Sequence, residues 1–262
     1  MSEPFLGQEG GLRLRHGRRV LWPSTAPLIT VAIVTFNAAA TLEAALAAVF
    51  GQRYPNVELV VVDGASTDRT VDILRANEQR IDYWVSERDS GIYNAMNKAR
   101  GLASGDWLLF VGADDVLLDS LADIAERLQD AGTTYYGDVL LASNGRRYAG
   151  RLSRYRLMQQ NICHQCIFYP RQVYARHAYD EELKLLADHK YNIELATIGS
   201  RLVHLPIVVC RFNDAGASSR GEAAFYRQQP ALIKANFGMG YYLLKRLRNT
   251  VVRVTKGRTE SD

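Results

Sequence analysis

A chain of 262 residues, 47% hydrophobic and 23% charged, has the length and balance of one globular domain with an extension. That composition excludes a disordered or collagen-like polymer, and no apolar run approaches the roughly 18–20 residues that cross a bilayer. Net charge is a modest +4 and Met1–Arg19 lacks the apolar centre of a signal peptide, so a cytoplasmic protein is the simplest reading.

Residues 1–27 read as a basic extension: Arg13, Arg15, Arg18 and Arg19 form its cluster, and Gly10-Gly11 with Pro23–Pro27 point to loose attachment. A strand is predicted over Ile29–Phe36, stopping at Asn37, and an alanine-rich helix over Thr41–Phe50. A second strand follows over Val57–Val62, and Ser66–Thr70 caps a helix reaching Asn77. A third strand, Ile81–Val85, leads into helix Ile92–Ala103, and a fourth, Trp107–Val111, leads into helix Asp119–Gln129. From Thr133 the rhythm turns strand-rich, with strands over Tyr135–Ala142, Arg146–Gly150 and Ile162–Tyr169. Cys163 and Cys166 lie in the last of these. With three cysteines in all and no second ligand pair, they read as buried structural residues rather than a zinc or redox site. A helix runs from Asp188 to about Thr197. Ala223–Thr259 contains no acid but eight lysines and arginines. Leu243, Leu244, Leu247, Val251 and Val254 recur there near helical spacing, which fits either an interfacial helix or a terminal helix packing its apolar side on the core.

Repeated β-α units with continuous apolar strands predict an α/β fold with a buried, mostly parallel sheet, followed by a mixed C-terminal half. Asp63, Asp89, Asp114 and Asp115 all fall just past the ends of its strands, where ligands of such sheets bind. Self-repelling carboxylates on one rim call for a cation, and Mg2+ is commonly held by one or two carboxylates plus substrate phosphates. No glycine-rich phosphate loop follows the first strand, which instead turns through Thr35-Phe36-Asn37. A metal on Asp114 or Asp115 would therefore take over the neutralising role.

Thr35-Phe36-Asn37, the segment Val62–Thr70, the segment Ser86–Ala99 and the run Gly105–Asp115 together resemble family 2 glycosyltransferases, in order, across Leu28–Phe212. The resemblance implies a GT-A (Rossmann-like) fold, with residues 28–130 as the nucleotide-sugar-binding half and 131–212 as the acceptor-binding half, followed by a basic amphipathic extension over 213–262. It also implies a nucleotide-sugar donor, Mg2+ or Mn2+, and a glycan or lipid-linked acceptor of the bacterial polysaccharide or O-antigen type. Donor-binding residues carried over are Thr35, Asn37, Asp63 (at the base or ribose), Asp89, Gly91 and Asp114. The metal falls to Asp114, then Asp115, because Gly112 stands where many members have the first Asp of D-x-D. Asp188 matches the base of inverting members, His164 and Gln165 match an acceptor-side element, and His189 is read as a surface residue or one supporting Asp188. The acid-free tail points to contact with an anionic membrane, and the acidic rim, which repels phosphate unless metallated, to no nucleic-acid partner. The rival readings are a nucleotidyltransferase, which should carry the missing loop, and a non-enzymatic nucleic-acid or membrane binder, which leaves the acidic rim unexplained.

Overall fold

The computed structural model describes residues 7–16, 26–148, 150–195, 197–198, 200–215 and 222–259, the last nine of these as backbone only. The front half alternates β2 (Ile29–Thr35), α2 (Leu42–Phe50), β3 (Val57–Asp63), α3 (Thr70–Asn77), β4 (Tyr83–Ser86), α4 (Ile92–Leu102) and β5 (Trp107–Gly112). Among the described residues ten strands form one sheet, in the order β1 (Gln8–Gly10)-β4-β3-β2-β5-β9 (Ile167–Pro170)-β7 (Thr133–Leu141)-β10 (Arg201–Phe212)-β6 (Val116–Leu117) with β8 (Arg147–Tyr148) beside β7. Strands β4, β3, β2 and β5 run parallel, and helices cover them, so that β2 is buried along its whole length; this is why these segments are apolar on both faces. Their register aligns Thr35 with Asp63, Asp63 with Ser86, and Val34 with Gly112. One row of residues thus marks the carboxyl rim. The chain moves outward from β2 to β3 and β4, then returns to β2's other side as β5, so the topological switch point lies between β2 and β5.

The back half adds β6 (Val116–Leu117), α5 (Leu121–Ala125), β7 (Thr133–Leu141), β8 (Arg147–Tyr148), α6 (Arg154–Leu157), a 3-10 turn (His164–Cys166), β9 (Ile167–Pro170), α7 (Arg171–Tyr174), α8 (Ala187–Leu195) and β10 (Arg201–Phe212). Antiparallel β9 joins β5 to β7, and β10 pairs parallel to β7. Two predicted elements differ. The helix over Asp119–Gln129 contracts to Leu121–Ala125, because Asp119 accepts from the backbone and guanidinium of Arg53, while Arg127 and Leu128 close short i→i−3 turns. The strand expected from Ile162 begins only at Ile167, since Cys166 N–H bonds back to the Cys163 carbonyl. All three cysteines are free.

The N-terminal segment is docked where loose attachment was expected. β1 (Gln8–Gly10) pairs antiparallel with β4, and α1 (Leu12–His16) follows. Gly10 is required there because a Cβ would stand 2.4 Å from the Trp84 ring nitrogen, and Gly11 turns the chain at φ +111°. Arg13 then reaches the buried Glu58 at the amino ends of the strands. Glu58 also accepts from Thr30 Oγ1 (2.5 Å), Ser104 N (2.7 Å) and Ser104 Oγ (2.6 Å). Arg18, Arg19 and Pro23 lie outside the described residues.

At the other end of the chain α9 (Ala223–Phe237) and α10 (Met239–Thr259) differ in burial. α9 packs inward through Phe225, Gln229 and Ile233. α10 leaves Met239, Leu243, Leu244 and Leu247 exposed; the side chains of Val251 and Val254 lie outside the described residues. No described helix is long and apolar enough to cross a membrane.

Candidate active site

Two loops at the switch point fasten each other. The β2–α2 loop enters a left-handed conformation at Asn37 (φ 49°), which asparagine tolerates better than most residues. Its Oδ1 accepts from Thr67 N (2.9 Å), and its own N–H donates to Ser66 Oγ (2.7 Å). Ala38 N–H donates to Thr70 Oγ1 (2.9 Å) and Ala39 N–H to Asp68 Oδ2 (3.0 Å). Ser66–Thr70 thus clamps the first loop, and within it Asp68 Oδ1 accepts the N–H of Thr70 (2.9 Å), the first residue of α3. Beneath them Asp63, 0% exposed, accepts from Ser66 N (2.9 Å), Ser66 Oγ (2.5 Å) and Ser86 Oγ (2.6 Å). Asp63, read from the resemblance as a base or ribose contact, lies below the loop it hydrogen-bonds, and its neighbour Gly64 lines the cavity.

That cavity, about 690 Å³, opens over the switch point. The β2–α2 loop forms one wall, with Thr35 and Asn37 on it and Phe36 at 63% exposure. Thr35 Oγ1 is buried without a partner. Asp89, Gly91 and the start of α4 form a second wall, and Gly112 to Asp114 a third. Gly91 (φ +132°) donates its N–H to Asp89 Oδ1 at 2.9 Å, turning that carboxylate alongside the helix start. Both strand-end glycines make room for acids. A Cβ at Gly64 would lie 2.6 Å from Asp89 Oδ2, and one at Gly112 would lie 2.6 Å from Asp115 Oδ2 and 2.9 Å from Asp114 Oδ1. The described lining contains two carboxylates and no lysine or arginine.

Adjacent aspartates have different surroundings. Asp115 is buried, accepting from Gly112 N (3.0 Å) and Gln165 Nε2 (3.0 Å) at Oδ2 and from Asn213 N (2.9 Å) at Oδ1. Burial, with Asp114 close by, pushes its carboxyl above the ordinary range despite those donors. Asp114 is exposed at the cavity and accepts from Asn213 Nδ2 (2.8 Å). Among the described residues no three His, Cys, Asp and Glu side chains are arranged to hold an ion by themselves. A single open carboxylate completed by substrate phosphates is nevertheless an ordinary Mg2+ arrangement, and the exposed Asp114 fits it better than the buried Asp115, which already accepts three hydrogen bonds.

Asp188 occupies the first turn of α8, 7% exposed, and does not line this cavity. α4 connects the two: Gly91, Ile92 and Ala95 face the cavity, while Tyr93 donates toward Asp188 Oδ1 (3.0 Å). His164 Nδ1 stands 3.4 Å from Asp188 Oδ2. Gln165, expected with His164 on the acceptor side, is buried against Asp115 instead. His189, read as a surface or supporting residue, is buried; its Nε2–H donates to the Leu157 carbonyl (2.7 Å) and its ring stacks on Phe225 of α9. Burial lowers its proton affinity. Tyr93 and Asn213 were not singled out from sequence. Tyr93 sits inside the quoted Ser86–Ala99 segment, while Asn213 follows β10 with nothing local to mark it.

The profile of glycosyl transferase family 2 matches residues 30–181. A PGL/p-HBAD biosynthesis glycosyltransferase of Mycobacterium tuberculosis is 34% identical over 250 residues, covering 89% of this chain and 96% of that protein. Among solved structures, residues 1–349 of S. aureus TarS in complex with UDP-GlcNAc superpose with a TM-score of 0.65 at 19% identity, covering 79% of this chain and 66% of the other. The match spans only 40% of the longer TarS chain. A mannosyltransferase from Pyrobaculum calidifontis in complex with GDP-Man and Mn2+ gives a TM-score of 0.58 at 22% identity over 86% of this chain and 66% of its own. These likenesses give the sheet and its helices the GT-A architecture.

Proposed function

The chain belongs to glycosyl transferase family 2, and from that premise we propose that it moves a sugar from a nucleotide-sugar donor to a hydroxyl of a lipid-linked or polysaccharide acceptor, with a divalent cation and with inversion. The observation that carries this reading is the acidic cavity at the switch point: Asp89 and Asp114 on its walls and no described cation to meet a diphosphate. The TarS and mannosyltransferase structures, with UDP-GlcNAc and with GDP-Man and Mn2+, support the choice of donor class and ion.

In this reading Phe36 offers a ring to the nucleotide base, Thr35 Oγ1 and Asn37 bond its ribose or phosphates, and Asp89 binds the donor sugar from the helix start. Asp63 and Asp115 hold the loops at depth. Asp114 would hold Mg2+ or Mn2+, which supplies positive charge against the departing diphosphate. The acceptor oxygen attacks the anomeric carbon as the bond to the diphosphate breaks on the opposite face. Asp188 takes the acceptor's proton. His164, beside Asp188, lies toward the acceptor. The exposed leucines of α10, with Arg246 and Arg248 near them, rest on an anionic membrane surface from which a lipid-linked acceptor is presented.

A thermal-shift screen of UDP-, GDP- and dTDP-sugars with and without Mn2+, beside a short oligonucleotide, tests the reading. One nucleotide sugar should stabilise the protein in a metal-dependent way. Stabilisation by the oligonucleotide alone would overturn it. Deleting Tyr241–Asp262 should abolish binding to anionic vesicles at low salt; unchanged binding removes the membrane contact.

A further inference from the structure

Tyr93 is buried on α4, its ring tilted against Tyr179 with centroids 5.5 Å apart. Its hydroxyl stands 2.7 Å from the Leu185 carbonyl oxygen and 3.0 Å from Asp188 Oδ1. Both partners are acceptors while Asp188 is ionised, and a phenol has one proton to donate. The Leu185 carbonyl is held in place, because the N–H groups of Lys184 (2.6 Å), Leu185 (3.1 Å) and Leu186 (3.0 Å) all donate to the carboxylate of Glu222. Asp188's two oxygens are therefore unlike. Oδ1 receives the His189 N–H (2.8 Å) as well as facing Tyr93, whereas Oδ2 meets only His164 Nδ1 at 3.4 Å.

We propose that Tyr93 is a positioning residue for the base, its O–H aimed at Oδ1 while Asp188 is a carboxylate and turned to the nearer Leu185 carbonyl once protonation on Oδ2 leaves Oδ1 the uncharged, weaker acceptor of the two. The inference rests on Asp188 as the base and adds the group that adjusts to its two charge states. The proton leaves the acceptor hydroxyl and comes to rest on Oδ2, the oxygen with the fewer donors. Tyr93 keeps its own proton and only rotates it about the C–O bond. Burial, reinforced by the negative charge of Asp188, pushes the Tyr93 phenol far above its ordinary range, so it stays protonated throughout. Both orientations have a waiting acceptor, and no buried hydroxyl is left unsatisfied in either state.

Carboxyl-13C aspartate labelling of the full chain, with Asp188 assigned by the resonance lost in Asp188→Asn, reads this directly by NMR titration. In Tyr93→Phe, which keeps the ring and its packing on Tyr179, Asp188 should titrate about one pH unit higher, because a donor to the carboxylate is gone. A 3-fluorotyrosine placed at position 93, a stronger donor with nearly the same shape, should move it the opposite way, and it keeps the test open should the phenylalanine variant not fold. An Asp188 titration that moves in neither variant overturns the proposal. Asp188→Asn that still transfers sugar from UDP-GlcNAc or GDP-mannose would instead remove the base reading, an outcome separate from the titration because the titration needs no turnover.

Discussion

At the amino ends of the strands, Glu58 gives its carboxylate to Arg13, Thr30 and Ser104, and Asp82 accepts from Leu59 N (2.8 Å), whereas at the carboxyl ends Asp89 and Asp114 remain open to the cavity. The same residue types are tied into the fold at one end and left open at the other. At the amino end Glu58 and Asp82 are buried with hydrogen-bond donors, so losing a donor is costly. The carboxyl rim has two tiers: Asp63 and Asp115 are buried below, each accepting three hydrogen bonds, and Asp89 and Asp114 above them have fewer donors. Acidity along a rim is thus no guide to chemistry until each carboxylate's donors are counted.

The contrast breaks first at the site. Asp188→Asn should lower transfer about 10²- to 10⁴-fold with donor affinity, read by calorimetry, within about twofold; an active variant would leave the site without its base. At the opposite end Arg13→Ala should cost about 1.5–3 kcal/mol of stability in urea unfolding, through the charge-assisted bond to Glu58 that is lost. Transfer per folded molecule should not change, and a loss of turnover at full folding would mean the two ends are coupled. Gly112→Ala sharpens the boundary between tiers. The new methyl meets Asp115, pinned by its donors, so a cost of about 1–3 kcal/mol is expected together with weaker Mn2+-dependent donor stabilisation. Wild-type stability in both assays would show that the rim yields more easily than its hydrogen bonds indicate.

The smallest effect is in pH. Burial alone would raise the Glu58 carboxyl, but hydrogen bonds from Ser104 and Thr30, and then Arg13, outweigh it and hold the group below its ordinary 4.5. Its contribution is complete above that value and is lost as the pH falls through the folded-state value. Glu58→Gln should therefore flatten the acid side of the stability profile, in a urea series from pH 3 to 6. Asp115 acts in the opposite sense: its raised carboxyl makes ionisation in the folded state a cost that grows as the pH rises past 3.8.

Local chemistry made the four front strands legible, because Val57–Asp63 and Trp107–Gly112 are largely apolar runs with an acid at or just past their ends, Asp63 and Asp114. The cavity lining was legible for the same reason: Thr35 ends a strand, and Asn37, Asp89, Gly91 and Asp114 come within a few residues of strand ends. What escaped was set by partners far along the chain. Tyr93 and Asp188 are 95 residues apart, and Asn213 reaches back 99 residues to Asp114. Nothing in Asp63's own segment shows that Ser86 lies beside it on β4 and donates to it. The docking of residues 8–16 was hidden similarly, since the partners of Gly10 and Arg13 are Trp84 and Glu58.

That docked segment fixes where the chain can be trimmed. Cutting at Leu28, the start of the alternating pattern, would strip β1 from β4 and expose an unpaired sheet edge, the kind of surface through which proteins stick to one another. A shortened version beginning at Gln8 should stay dispersed in solution where one beginning at Leu28 clumps, and fusion partners are better attached ahead of Gln8 than spliced into its place.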